Sequence, residues 1–212
     1  MKAIVLNQSG KPHQFMLSEV PVPAVKAGEI RVRVVHAGAG GVGGYAIQLA
    51  KLCGASTIIA KASPGNADYV RSLGADYVLD YNQEDVHARV LDIAGGGEGV
   101  DLVLNTINRA TAQKDLSVLS FGGQLACIVG APETVDDFQP STKSFTLHKL
   151  MLAGAHGSGR KAEEELAAMV AEFLQLLRKK KIDPLVRQVI SLEEIPQGLR
   201  QLRAACAGEG RR

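Results

Sequence analysis

Beyond Glu29 the chain alternates short β-branched apolar runs with stretches whose apolar residues recur at helical spacing. Ile30–Val35 (IRVRVV) reads as a strand and His36–Gly44 (HAGAGGVGG) as a loop. A helix follows over Val42–Cys53, where Val42, Ala46, Leu49, Ala50 and Cys53 fall on one face. Ser56–Ala60 is a second strand. Ser63 before Pro64 then has the form of an N-cap and first helical residue, opening a helix to Leu73 that stops at Gly74. Tyr77–Leu79 is a third strand. Asn82–Ala94 reads as a helix with Val86, Val90 and Ile93 on one side and Glu84 and Asp85 in its first turn, where the dipole favours anions. A strand at Val100–Thr106, a short helix to Leu119, a turn at Phe121–Gly123 and a strand at Gln124–Val129 come next. Phe145–Ala153 reads as a strand, and Ala162–Lys181 as an amphipathic helix built on Leu166, Met169, Val170, Phe173, Leu174 and Leu177. Leu185–Ile190 reads as a strand, and Ser191-x-x-Glu194 as a capping box for a last helix through Leu199 and Leu202.

Strands and helices alternating in this way predict right-handed βαβ units. The fold class is therefore α/β, a Rossmann-type doubly wound parallel sheet covered on both faces. The opening residues break the pattern: Lys2–Asn7 and Gln14–Val20 read as two strands, and the rigid Pro21-Val22-Pro23 follows with no helix. The expected division is a short β element over 1–28, the α/β domain over 29–204 and a tail over 205–212.

Gly38-Ala39-Gly40-Gly41-Val42-Gly43 fits G-x-G-x-x-G between a strand and a helix. Glycines there permit a tight turn, close approach of backbone to a pyrophosphate, and close packing of helix on strand. Free amides at the helix N-terminus then meet the anion. Such loops also serve packing alone or methyl-donor sites, but the βαβ context favours a dinucleotide. The second strand bears on which one. An NAD site wants an acid about 20 residues on, yet Ile58–Ser63 has none before Asp68. Lys61 and the Ser63 hydroxyl would instead attract a 2′-phosphate, which favours NADP(H). Taken alone, Lys61 would read as a solvated surface lysine.

Composition narrows the classes. With 46% hydrophobic and 22% charged residues and a net charge of +2, the chain is neither a disordered tail nor a strongly basic nucleic-acid binder. No apolar run reaches the roughly eighteen residues of a membrane span, and no signal peptide opens the chain. Cys53, Cys127 and Cys206 are too scattered for a disulfide framework or a zinc site, and read as reduced thiols of a cytoplasmic protein. His13, His36, His87, His148 and His156 lie far apart, none beside a Cys or carboxylate at ligand spacing. His36 reads as structural.

HAGAGGVGGYAIQLAK, GADYVLDY, DLVLNTI, GGQLACIVGAP and IDPLVRQVISLEEIPQGL together resemble the medium-chain dehydrogenase/reductase superfamily, in its quinone oxidoreductase-like and alcohol dehydrogenase-like branch. The opening MKAIVLNQSGKPHQFMLSEVPVPAVKAGEIRVRVV is similar to the first strands of that family's GroES-like catalytic domain. The resemblance implies an NADP(H)-dependent oxidoreductase passing hydride to a quinone, enone or carbonyl compound. Gly40, Gly41 and Val42 would approach the pyrophosphate, while Ser63 and Tyr81 would touch the 2′-phosphate. Asn66 falls where NADPH-preferring members often carry lysine. Thr106, Ile107, Val129 and Gly130 would border the nicotinamide half, or simply pack strand ends. Zinc is not expected, because the family's metal ligands come from a catalytic domain that Val34–Gly38 passes over. Ala205–Arg212 stands where members close with a strand. These losses imply impaired catalysis, with a non-catalytic NADP(H)-binding module as the alternative. The strand near 145–153 is the family's subunit-joining edge and implies a homodimer.

Overall fold

The computed structural model describes residues 2–6, 15–19, 32–36, 38–95, 97–134 and 143–201. Strands β1 (Lys2–Leu6) and β2 (Phe15–Glu19) pair antiparallel as a separate two-stranded sheet. The expected boundaries at 28/29 and 204/205, the Pro21–Pro23 segment, Leu202 and Cys206 lie outside the described residues.

The β-branched runs that follow form β3 (Val32–Val35), β4 (Thr57–Lys61), β5 (Tyr77–Leu79), β6 (Val100–Asn105), β7 (Leu119–Cys127) and β8 (Phe145–Lys149). They make one all-parallel sheet in the order β5-β4-β3-β6-β7-β8. Between them run α1 (Gly41–Leu52), α2 (Ala67–Ser72), α3 (Val86–Ile93) and α4 (Arg109–Asp115), and after β8 comes α5 (Arg160–Arg178). Neighbouring strand residues point to opposite faces. Val35, Ile58 and Ala60 therefore meet Ile47 and Val70 of α1 and α2 on one side. Val34, Ile59 and Val103 meet Val86 and Val90 of α3, Ala112 of α4 and Leu116 just after it on the other. Each fully buried Val, Leu or Ile contributes about 1.5–3 kcal/mol, so these two layers hold the sheet.

Several local expectations are corrected. Helix α3 begins at Val86 rather than Asn82, because Asp85 is its N-cap and accepts from the amides of His87 (3.1 Å) and Ala88 (3.2 Å). Asn82 and Glu84 belong instead to a turn around Asp80, whose amide donates to Glu84 Oε1. Ser63 is extended before Pro64 but makes no side-chain cap; a 3₁₀ turn over Pro64–Asn66 precedes α2. Phe121–Gly123 is no chain reversal but a register shift inside β7, with Gly122 at φ 77°. Strand β8 stops at Lys149 and gives way to a 3₁₀ segment, Leu152–Gly157. Leu185–Ile190 forms no strand and pairs with no strand among the described residues. Of the capping box only half is present, the Ser191 amide donating to Glu194 Oε2 at 2.8 Å before a helix over 195–201. Among the described residues no helix is long and apolar enough to cross a membrane.

Candidate functional site

In the sheet order, the chain winds one way from β3 through β4 to β5 and the other way from β6 to β8. The loops leaving β3 and β6 therefore part, and a crevice opens at the carboxyl ends of the strands. A cavity of about 560 Å³ occupies it. Of the residues singled out in the sequence, Gly40, Lys61, Ser63, Asn66, Tyr81 and Ile107 line this cavity, joined by Ala39, Ala62 and Thr111. Residues from four different strand ends thus converge on one space.

The glycines of the loop divide the work. Gly38 is buried, and a Cβ there would meet Ala60 Cβ at 3.1 Å, Val70 Cγ1 at 3.2 Å and Ile47 Cδ1 at 3.3 Å. It lets α1 sit close on the sheet and does not face the cavity. Gly43 is likewise buried in α1. Gly40, Gly41 and Val42 are exposed at the mouth, and a Cβ on Gly41 would meet nothing within 4 Å. Gly40 caps α1 without a side-chain bond, and no acid occupies the first turn, so the helix presents free amides and a positive pole to an anion.

Across the mouth, Asn66 Nδ2 donates to Ser63 Oγ at 2.9 Å, which leaves the Ser63 hydroxyl proton for an acceptor in the crevice. Lys61 is not a surface side chain: it is 7% exposed. Beneath it lies a polar cluster. Asp115 Oδ1 accepts from His36 Nε2 (3.0 Å) and His87 Nε2 (3.2 Å), and its Oδ2 accepts from Asn105 Nδ2 (2.7 Å). Burial alone would raise the Asp115 pKa, but these three donors outweigh it and hold the carboxyl down at about 2. Asn105 Oδ1 in turn accepts from the Ile107 amide (3.0 Å), and Thr106 Oγ1 donates to the His36 carbonyl (3.2 Å). The cluster ties the glycine-loop side of the crevice to the loop after β6.

The comparisons with known proteins agree with this geometry. Residues 41–174, more than half of the chain, match the zinc-binding dehydrogenase family. The chain belongs to that family. Within the medium-chain dehydrogenase/reductase superfamily it is a quinone oxidoreductase-like member. It is 28% identical over 183 residues to the synaptic vesicle membrane protein VAT-1 of Tetronarce californica, covering 80% of this chain and 48% of that one. It is 29% identical over 169 residues to a quinone oxidoreductase of Pseudomonas aeruginosa, covering 80% and 52%. Among solved structures, CurK enoyl reductase superposes with a TM-score of 0.66 at 26% identity, over 83% of this chain and 52% of that one. The Escherichia coli quinone oxidoreductase complexed with NADPH gives 0.61 at 26% identity, over 77% and 49%. The chain thus spans about half the length of these relatives.

The family's name implies zinc, yet among the described residues no group of three or more His, Cys, Asp or Glu is placed to hold a metal. The donor set does not fit that ion. Besides Gly38 and Gly43, three further expected site residues stand apart from the cavity. Thr106 is turned to the His36 carbonyl, Val129 is 61% exposed, and Gly130 packs on Arg109, where a Cβ would meet Arg109 Cβ at 3.3 Å. Ala39 and Thr111 went unremarked in the sequence. Ala39 is a variable position of the glycine motif, and Thr111 had a faint signal in Asn108, whose Oδ1 caps α4 by accepting the Thr111 amide at 2.8 Å.

Proposed function

We propose that this chain supplies the NADP(H)-binding half of an oxidoreductase acting on a small quinone, enone or carbonyl compound. One observation carries the reading: the crevice is lined by a lysine, a serine hydroxyl and an asparagine amide, with no carboxylate. A carboxylate there would bind ribose hydroxyls and repel a 2′-phosphate, whereas this lining favours the phosphate. Gly40, Gly41 and Val42 would hold the pyrophosphate on the α1 amides, and Lys61, Ser63, Asn66 and Tyr81 the adenosine end. Bound there, the cofactor supplies the hydride. The Escherichia coli relative complexed with NADPH supports the assignment.

NADPH and NADH titrated by cofactor fluorescence test it. NADPH is expected to bind at least tenfold tighter, a difference of about 1.4 kcal/mol, and equal affinity overturns the reading. Gly41→Asp is expected to abolish binding while leaving the circular dichroism unchanged, because the new Cβ has open space and the new charge meets the anion. A second reading, a module that binds NADP(H) without turnover, is favoured by Ile107 and Val129. These residues, expected beside the nicotinamide, are 39% and 61% exposed, while positioning of the reactants supplies much of an enzyme's rate. Binding without oxidation of NADPH by a quinone would support it. Joining of two copies along the outer edge of β8 belongs to the same proposal, since an unpaired strand edge is a template for another strand.

A further inference from the structure

Asp115 is the one fully buried carboxylate among the described residues, 1% exposed, and it does not line the crevice. Its three hydrogen bonds account for its own burial but not for its neighbour. Lys61 follows Ile59 by two residues on β4, so both side chains leave the strand on the same face. That face is the one α3 and α4 cover, with Ile59, Ala112 and Leu116 in a single cluster. The Lys61 amine lines the cavity and makes no hydrogen bond or ion pair with any described residue. A lysine that is 7% exposed as a residue, lines the crevice and has no hydrogen-bond partner for its amine is placed to receive an anion.

We propose that Asp115 is a positioning residue for the cofactor: from below the crevice it keeps the Lys61 amine in its charged form, so that an anionic cofactor group meets an ammonium ion. The proposal rests on the crevice being the NADP(H) site. Burial pulls the Lys61 amine below the ordinary lysine pKa, the Asp115 carboxylate pushes it back up, and Lys114 pulls it down again. The other titratable groups around the pair are few. His36 at the end of β3 and His87 on α3 both donate to Asp115. Tyr81, after β5, lines the cavity. The Cys127 thiol at the end of β7 is pushed up by burial and by Asp115. His36 Nδ1 is buried with no hydrogen-bond partner, so the ring meets Asp115 through Nε2 alone.

NADPH affinity measured by fluorescence across neutral and alkaline pH tests this, because a lysine that loses its proton stops attracting a phosphate. In the wild-type chain the dissociation constant is expected to rise through one midpoint. Lys61→Met is expected to flatten the profile. Asp115→Asn keeps the size of the side chain and is expected to move the midpoint to lower pH, so that affinity between the two midpoints falls. Should Asp115→Asn fail to fold, exposed Lys114→Met tests whether charges beside the crevice set the Lys61 midpoint, which is expected to rise when that repulsion is removed. A wild-type profile that is flat, or an Asp115→Asn (or Lys114→Met) profile displaced equally at every pH, overturns the proposal. Failure of the wild-type chain to bind NADPH at any pH overturns instead the assignment of the crevice.

Discussion

Residues 34–127 and residues 143–201 are built from the same kinds of sequence pattern and are held in different ways. Among the described residues, every buried apolar side chain but Ile182 lies between Val34 and Cys127. The second region carries the longest helix, α5, yet none of its nineteen residues is buried, and Met169, Val170 and Leu174 are exposed. What fastens its trailing segment to α1 is polar: the Tyr45 hydroxyl donates to the Pro184 carbonyl (2.6 Å), and Gln48 exchanges bonds with the Asp183 backbone. An edge-on contact of Tyr45 with Phe173, centroids 5.0 Å apart, adds to it. Amphipathic spacing therefore reports that a face wants cover. Whether cover is supplied depends on the rest of the chain.

The sharpest way to break the contrast is to remove apolar volume from the first region. Leu116→Ala empties part of the layer under α3 and α4, and is expected to cost about 2–5 kcal/mol in urea unfolding. A loss below 1 kcal/mol, on the order of an ordinary surface change, would mean that the layers do not carry the fold.

A second difference lies in where charge sits. The first region encloses Asp115, whereas ion pairs such as Arg160–Glu164 and Lys161–Glu165 in the second stand in solvent and contribute little. The Asp115 carboxyl titrates at about 2 when folded against an ordinary 3.8, so its contribution is complete above the ordinary value and disappears as pH falls toward 2. Acidification through that window is expected to cost about 2 kcal/mol, and Asp115→Asn to remove that part of the pH dependence. An unchanged acid limb in the variant would show that the cluster stores no such energy. Smallest of all is Leu174→Ser, expected to change stability by under about 0.5 kcal/mol, because the side chain it replaces is already in water. A loss of 2 kcal/mol or more, in the range of core truncations, would show that the α5 face is covered in solution, through a second copy or otherwise.

The parallel sheet and the glycine loop were legible because both are written locally, in the spacing of apolar residues and in glycines between a strand and a helix. The polar cluster was not, since His36 and Asp115 are separated by 79 positions and His87 and Asp115 by 28. A lysine read alone belongs in water, and nothing local to Lys61 announces that the fold leaves it 7% exposed. Leu185–Ile190 misled in the other direction. Its β-branched composition suits a strand, but a strand needs a neighbour, and Val189 is left 88% exposed. Asp85 was placed correctly near a helix start and given the wrong office, a first-turn anion where it is the cap.

The uneven surroundings of the glycine motif set two separate selective filters within a few residues. Any side chain at Gly38 crowds sheet and helices together, so substitutions there are expected to reduce how much protein accumulates. Substitutions at Gly41 meet open space and spare the fold, so they are filtered only by what the crevice must hold. Variants sorted by cellular abundance and again by retention on an immobilised nucleotide would disagree at Gly41 and agree at Gly38. A lineage that gave up cofactor binding while keeping the domain would drift first at the position with room to do so.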